Sequence, residues 1–159
     1  GAPRTDPRNA EELAAEAALR SSPDDIARIQ AELKAMESAG GSDAHLVVEH
    51  DLAFHQAIFR AAGNRVCELM FSVVHKSLQE LITITSKLVN AEHTLVLHRR
   101  ILAAIRKRDP QEARRRMLEH LLDANKLIQK ASGQRDQASI HANIAKLTPP
   151  GGYSRTTSS

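Results

Sequence analysis

The sequence predicts an all-α protein, a bundle of six to seven helices, on three observations. The chain is rich in Ala, Leu, Glu, Arg and Gln, residues that lose little on entering a helix. Its 7 glycines and 6 prolines fall between apolar segments or at the ends, and aromatics make up only 3% of 159 residues, which supplies strands poorly. Apolar residues recur at three- and four-residue intervals along almost the whole chain. A chain of this length supports one domain with a real core, burying about 70% of its unfolded surface.

Each element has its own signal. Asn9 followed by Glu12 is a capping-box-like start, and Leu13, Ala14, Ala17 and Ala18 give a narrow seam for a first helix ending at Arg20. Ser22-Pro23-Asp24-Asp25 supplies a cap, a proline at the first helical position and acids that complement the dipole. Ile26, Ile29, Leu33 and Met36 then repeat at helical spacing until Gly40-Gly41. The third helix runs from about Asp43 to Ala62 and closes at Gly63-Asn64, where glycine can adopt the left-handed conformation. The fourth, from about Arg65 to Val89, carries Val66, Leu69, Met70, Val73, Val74, Leu81, Ile82, Ile84 and Leu88. Its broad apolar face and the β-branched run Ile82 to Thr85 make it the expected central helix.

A fifth helix from Ala91 to about Arg108 aligns Leu95, His98, Ile101, Leu102 and Ile105, and Asp109-Pro110 breaks it and starts a sixth. That one, to about Ala131, places Ala113, Met117, His120, Ala124 and Leu127 on one side, with Glu119 outward. After Gly133 a weaker amphipathic segment, about Gln134 to Leu147 with Ile140, Ile144 and Leu147, is expected as a separate last helix. The domain organisation that follows is a disordered or artificially appended stretch over residues 1–8, one helical domain over 9–147 and a flexible tail over 148–159.

Charge and composition narrow the function. The 22 basic and 19 acidic residues, net +3, are scattered without a basic arm, which argues against direct nucleic-acid binding by this segment. The single cysteine, Cys67, forms no internal disulfide, reads as a small partly buried residue, and suits a reducing compartment. No apolar run approaches the roughly 20 residues that span a bilayer, and the first residues do not read as a signal peptide, so a cytoplasmic protein is expected. The chain starts Gly1-Ala2-Pro3 rather than with Met, as a processed or excised product would.

The chemistry lies in Asp51-Leu52-Ala53-Phe54-His55. Residues four apart on a helix share a face, so Asp51 and His55 can converge, on the stripe that carries Val47, Val48, Ile58 and Ala62. His98 and His120 point inward from helices of their own. One carboxylate and three imidazoles match a first-row divalent metal, with zinc first and nickel, iron or manganese also suited. Neighbouring helices roughly 8–10 Å apart let such side chains meet in a bundle interior. A histidine on a half-apolar face is ordinarily a hydrogen-bonded core residue, and an Asp51–His55 ion pair would also relieve a buried carboxylate; spacing alone leaves both readings open. His45, His50, His75, His93 and His141 fall mainly on polar sides, with His50 or His93 as replacement ligands if the helical phase is shifted.

The ordered set Asp51-x-x-Phe54-His55-x-x-Ile58 with Ala61-Ala62-Gly63-Asn64, His98-x-x-Ile101-x-x-Ala104-Ile105 with Asp109 and Ala113, and Met117 with His120-Leu121 resembles a known family. It is similar to the effector-binding (FCD) domain of FadR-subfamily GntR transcription regulators, over about Ala10 to Lys130. The resemblance implies an antiparallel all-α bundle, metal ligands at Asp51, His55, His98 and His120, and a small carboxylate effector beside the metal. It also implies a homodimer, and DNA contact through a winged helix-turn-helix domain preceding the bundle. No such domain precedes Ala10 in this sequence, so the expectation is the sensor half of a longer protein or a stand-alone relative.

On that reading an organic acid chelates the metal, with Thr83, Ser86, Arg100 and Asn125 as candidate effector contacts. A surface position for Arg100 and a capping or solvent-facing one for Asn125 compete with those roles, and Arg60 and Asn64 are expected to serve the helix end. Two other classes remain: a helical-bundle metalloenzyme using the same Asp/His3 set, and a helical module with a closed structural metal. The first lacks an identifiable general base, Glu119 and Glu92 being the nearby acids.

Overall fold

The computed structural model describes residues 10–40, 43–73, 79 and 91–147, and mostly the backbone alone beyond Lys130. Its helices are α1 (Ala10–Arg20), α2 (Pro23–Ala39), α3 (Ala44–Ala61), α4 (helical over residues 65–73), α5 (Ala91–Arg106) and α6 (Pro110–Leu147), with no strand among the described residues. No helix among them is long and apolar enough to cross a membrane.

Local chemistry sets the helix ends. Ser22 accepts from the Asp25 amide while the Asp25 carboxylate accepts from the Ser22 amide, a complete capping box with Pro23 behind it. Asp43 caps α3 by accepting from the His45 and Leu46 amides at 2.9 and 3.2 Å. After α3, Gly63 takes a φ of 74°, as expected, and a Cβ there would stand 3.4 Å from the Arg20 guanidinium.

The end of α5 is less regular. Arg108 adopts a φ of 57°, the left-handed conformation usually left to glycine. The Asp109 amide donates to Ala104 O and the Arg108 amide to Ile105 O, which closes the helix in a Schellman motif. What holds a side chain there is its far end: Arg108 Nη1 donates to the Ser21 carbonyl at 2.6 Å and reaches the Ala18 carbonyl at 3.4 Å, tying the end of α1. Asp109 Oδ1 then caps α6 by accepting from the Glu112 amide. Further along, Arg114 of α6 donates twice to the Glu12 carboxylate, at 2.6 and 2.9 Å, so α1 is held at one end by α6 and at the other by the α5–α6 turn.

One core joins these elements. Leu13, Ala14, Ala17 and Ala18 of α1, Ile29, Leu33 and Met36 of α2, Phe54 and Ile58 of α3, Ile101 and Ile105 of α5, and Ala113 and Met117 of α6 form one buried cluster. The small residues of α1 allow its backbone close to α6, α3 and α5, while α2 packs on α3 and α5.

Two expectations are corrected. Over its described residues the fourth helix is not central: Val66, Leu69, Met70 and Val73 are 64–74% exposed, and the half-buried Cys67 and Phe71 are what pack on the core. The remaining fourth-helix residues, and Asn9 of the expected first cap, lie outside the described residues. The expected separate last helix is instead continuous with α6 through Gly133, whose Cβ position is open and whose φ is not reversed. A lone glycine lowers helix stability by only about 1 kcal/mol relative to alanine, and neither proline nor a cap follows it.

The Arg108 geometry has a testable result. Arg108→Ala keeps the left-handed strain and loses the ties to α1, so it destabilises by about 1–2 kcal/mol; Arg108→Gly loses the ties but relieves the strain and is milder by about 1 kcal/mol. Urea midpoints of the two variants check the ranking.

Candidate metal centre

Helices α3, α5 and α6 bring Asp51, His55, His98 and His120 together, with one ligand atom from each within 4.8 Å of every other. Asp51 and His55 stand one turn apart on α3, whose apolar stripe turns them inward with Phe54 and Ile58. His98 is inward because Leu95, Ile101, Leu102 and Ile105 share its buried face, and His120 because it follows Ala113 and Met117 along α6. His98 is 0%, His120 7% and His55 9% exposed, deeper than unpaired imidazoles ordinarily sit.

The atoms that meet are the same in each ring. His55 Nε2 lies 3.1 Å and His98 Nε2 3.3 Å from His120 Nε2. Asp51 Oδ1 lies 3.1 Å from His98 Nε2 and 3.5 Å from His55 Nε2. Each neutral imidazole has one N–H, so three Nε2 atoms facing one another cannot be satisfied as a chain of well-aligned hydrogen bonds. Asp51 Oδ1 is buried with no hydrogen bond of proper geometry despite these short distances, and His98 Nδ1 is likewise unpartnered. A metal bound at about 2.0–2.2 Å sets adjacent ligand atoms about 3–3.5 Å apart. The four separations fall in that range, and the lone pairs converge rather than pair off, so the donor set fits a divalent transition metal.

Electrostatics agree. Burial pushes the Asp51 carboxyl up, but the facing imidazoles, His98 first, outweigh it and hold the group well below the ordinary carboxylate range. Burial depresses His98, and Asp51 opposes without reversing the shift. Burial, then His55 and His98, push His120 down to about 2. The result is an anionic carboxylate beside two imidazoles, His98 and His120, held in the neutral form that ligation requires.

The other candidates do not join the cluster. His45 and His93 are exposed, against Gln79 at 3.1 Å and Asp123 at 3.2 Å, and the half-buried His50 pairs with Glu32 at 2.8 Å. Arg100 is exposed and meets Glu119 at 3.2 Å, and Asn125 is exposed. Thr83, Ser86 and His75 lie outside the described residues, as does the His141 side chain. Arg60 pairs with Glu68, and Asn64 Oδ1 accepts from the Cys67 amide, both at the turn after α3 as expected. Sequence reasoning used Phe54 only as part of a motif and missed its contact with the imidazoles: its ring centroid is 4.5 Å from that of His98 and 5.6 Å from that of His55. Its place between Asp51 and His55 in one helical turn was the available signal.

An all-α bundle with a buried Asp/His3 cluster defines the class: a helical domain able to hold a metal at its centre. Residues 10–123 match the FCD domain model, and the chain belongs to the FCD domain family. In structure it is similar to a GntR of Streptococcus agalactiae, with a TM-score of 0.62 and 24% identity over 73% of this chain and 52% of that one, a likeness of fold. The chain thus spans about half the length of that relative. No curated protein matches it.

The depressed imidazoles make the metal-free fold sensitive to acid. His98 and His120 are held below the ordinary 6.5, so below that pH the unfolded chain binds protons the fold refuses. Their contribution is fully present above about pH 6.5 and is lost progressively as pH falls below it, for His120 down to about 2, by at most about 1.4 kcal/mol per pH unit for each group. The urea midpoint of metal-free protein should therefore fall between pH 7.5 and 5.5, and a constant midpoint would count against neutral buried imidazoles.

Proposed function

We propose that the chain is the metal-containing, effector-binding half of a GntR/FadR-type transcription regulator. In this reading a small organic acid binds at a divalent metal held by Asp51, His55, His98 and His120. Binding modulates DNA contact by an N-terminal winged helix-turn-helix domain carried elsewhere in the full protein. The observation that carries it is the convergence of three buried Nε2 atoms and one carboxylate oxygen from three helices. Membership of the FCD family supports the regulatory half.

When bound, the metal would supply a coordination position beyond the four protein donors that a carboxylate oxygen can take, since nickel, iron and manganese accept five or six ligands and zinc can expand from four to five. The residues do the rest. Asp51 neutralises part of the cation's charge, the imidazoles hold it without adding charge, and the surrounding apolar side chains exclude competing water. Zinc is the first candidate, with nickel, iron and manganese compatible with the same donors. Thr83 and Ser86, which lie outside the described residues, remain the candidate contacts for the rest of the acid; Arg100 and Asn125 are exposed, away from the cluster. The regulator acts as a cytoplasmic homodimer in which effector binding changes the relative placement of two DNA-binding domains; an effector can do this only by its differential affinity for the two arrangements.

The metalloenzyme reading gains nothing from the geometry. The acids it would recruit as general base are engaged elsewhere: Glu119 with Arg100 and Arg116, and Glu92 with Arg99.

Metal content of the purified chain decides first. Close to one equivalent of metal after loading is expected for the native chain, and little for Asp51→Ala or His120→Ala. A thermal-shift screen of small carboxylic acids on the loaded chain should then raise Tm by about 5–10 °C at an acid concentration near 100 Kd. No uptake of metal, or equal stabilisation by acids without metal, would overturn the sensor reading.

A further inference from the structure

Metal-bound histidines are ordinarily aimed by a hydrogen-bond acceptor behind the ring, on the nitrogen that does not ligate. His98 departs from that pattern. Its Nε2 faces Asp51 and His120, while its Nδ1 is buried with no partner among the described residues. The torsion that aims an imidazole is broad, so the ring needs another restraint to hold its orientation.

Phe54 is in place to provide it. The side chain is 0% exposed, and its ring lies against that of His98 with centroids 4.5 Å apart and planes 31° from parallel. The same ring meets His55 edge-on, with centroids 5.6 Å apart at 85°. Phe54 is itself fixed in the core cluster with Ile58 and Ile101, and one helical turn of α3 carries Asp51, Phe54 and His55 together. Rotating His98 about its Cβ–Cγ bond would drive the ring edge toward the Phe54 face, and interiors this closely packed resist such displacement.

We propose that Phe54 is a positioning residue of the metal centre, its flat ring orienting His98 and His55 by packing where His98 lacks a hydrogen-bond acceptor. This rests on the reading that the cluster binds a divalent metal. A leucine at position 54 keeps an apolar side chain and removes the flat wall, so the fold survives while the imidazoles lose their common aim.

Cobalt(II) is the probe, because its visible absorption reports coordination geometry as well as occupancy. Phe54→Leu, shown folded by circular dichroism, should bind cobalt about tenfold more weakly than the native chain in competition with a chromophoric chelator, the scale of a lost orienting partner. Its visible bands should also shift. Phe54→Met serves the same test if the leucine variant does not fold. Ile29→Ala, a core truncation on α2 at least as destabilising, should leave affinity within about twofold and the bands unmoved. Native affinity and spectrum in folded Phe54→Leu, or an equal loss in Ile29→Ala, would overturn the proposal. Failure of the native chain to take up cobalt would instead remove the metal reading itself, and the role of Phe54 with it.

Discussion

A carboxylate inside an apolar core is the constraint on which this bundle turns. Desolvating an ion of that kind raises its energy by several kcal/mol unless a counter-charge or a metal compensates. Asp51 meets three imidazoles, two of them held in the neutral form by the same burial. Those two supply dipoles and lone pairs but little positive charge. Such a site carries a residual negative charge within a shell of nitrogen donors, and the ligand that resolves both features at once is a cation. Three helices must keep their rotation about their own axes for the atoms to remain within a few ångströms, so bundle packing and site geometry are one requirement.

The surface contributes to that registration. Arg100 stands two residues after His98 and Glu119 one before His120, and their ion pair spans α5 and α6 beside the buried contact. Glu119 also meets Arg116, which meets Glu112, which meets Arg115. Exposed pairs of this kind are individually worth under about 1 kcal/mol; those of Glu112, Arg115, Arg116 and Glu119 lie along α6 itself, and Arg100–Glu119 is the one in this row that crosses to α5.

Much of this was legible in the sequence where only local rules were needed. The cap at Ser22, the glycine close after α3 and the inward phase of Asp51, His55, His98 and His120 each depend on a few consecutive residues. The resemblance spanned about Ala10 to Lys130, close to the matched 10–123. What failed to show were properties set by distant neighbours. A stripe of Val66, Leu69, Met70 and Val73 announces an apolar face but not what lies opposite it. Glycine at position 133 announces a weak point in a helix but not whether the helix yields. The left-handed Arg108 and the Glu12–Arg114 pair depend on partners about ninety to a hundred residues away, beyond any periodicity.

The hold of α6 on α1 has one further consequence. At 11 residues α1 is shorter than the roughly 12–15 at which a helix becomes even marginally stable alone in water. Its order is therefore borrowed from the small-residue seam and the arginine ties at each end. A shift of α6 large enough to release Arg114 from Glu12 would fray α1 from its first turn rather than tilt it as a rod.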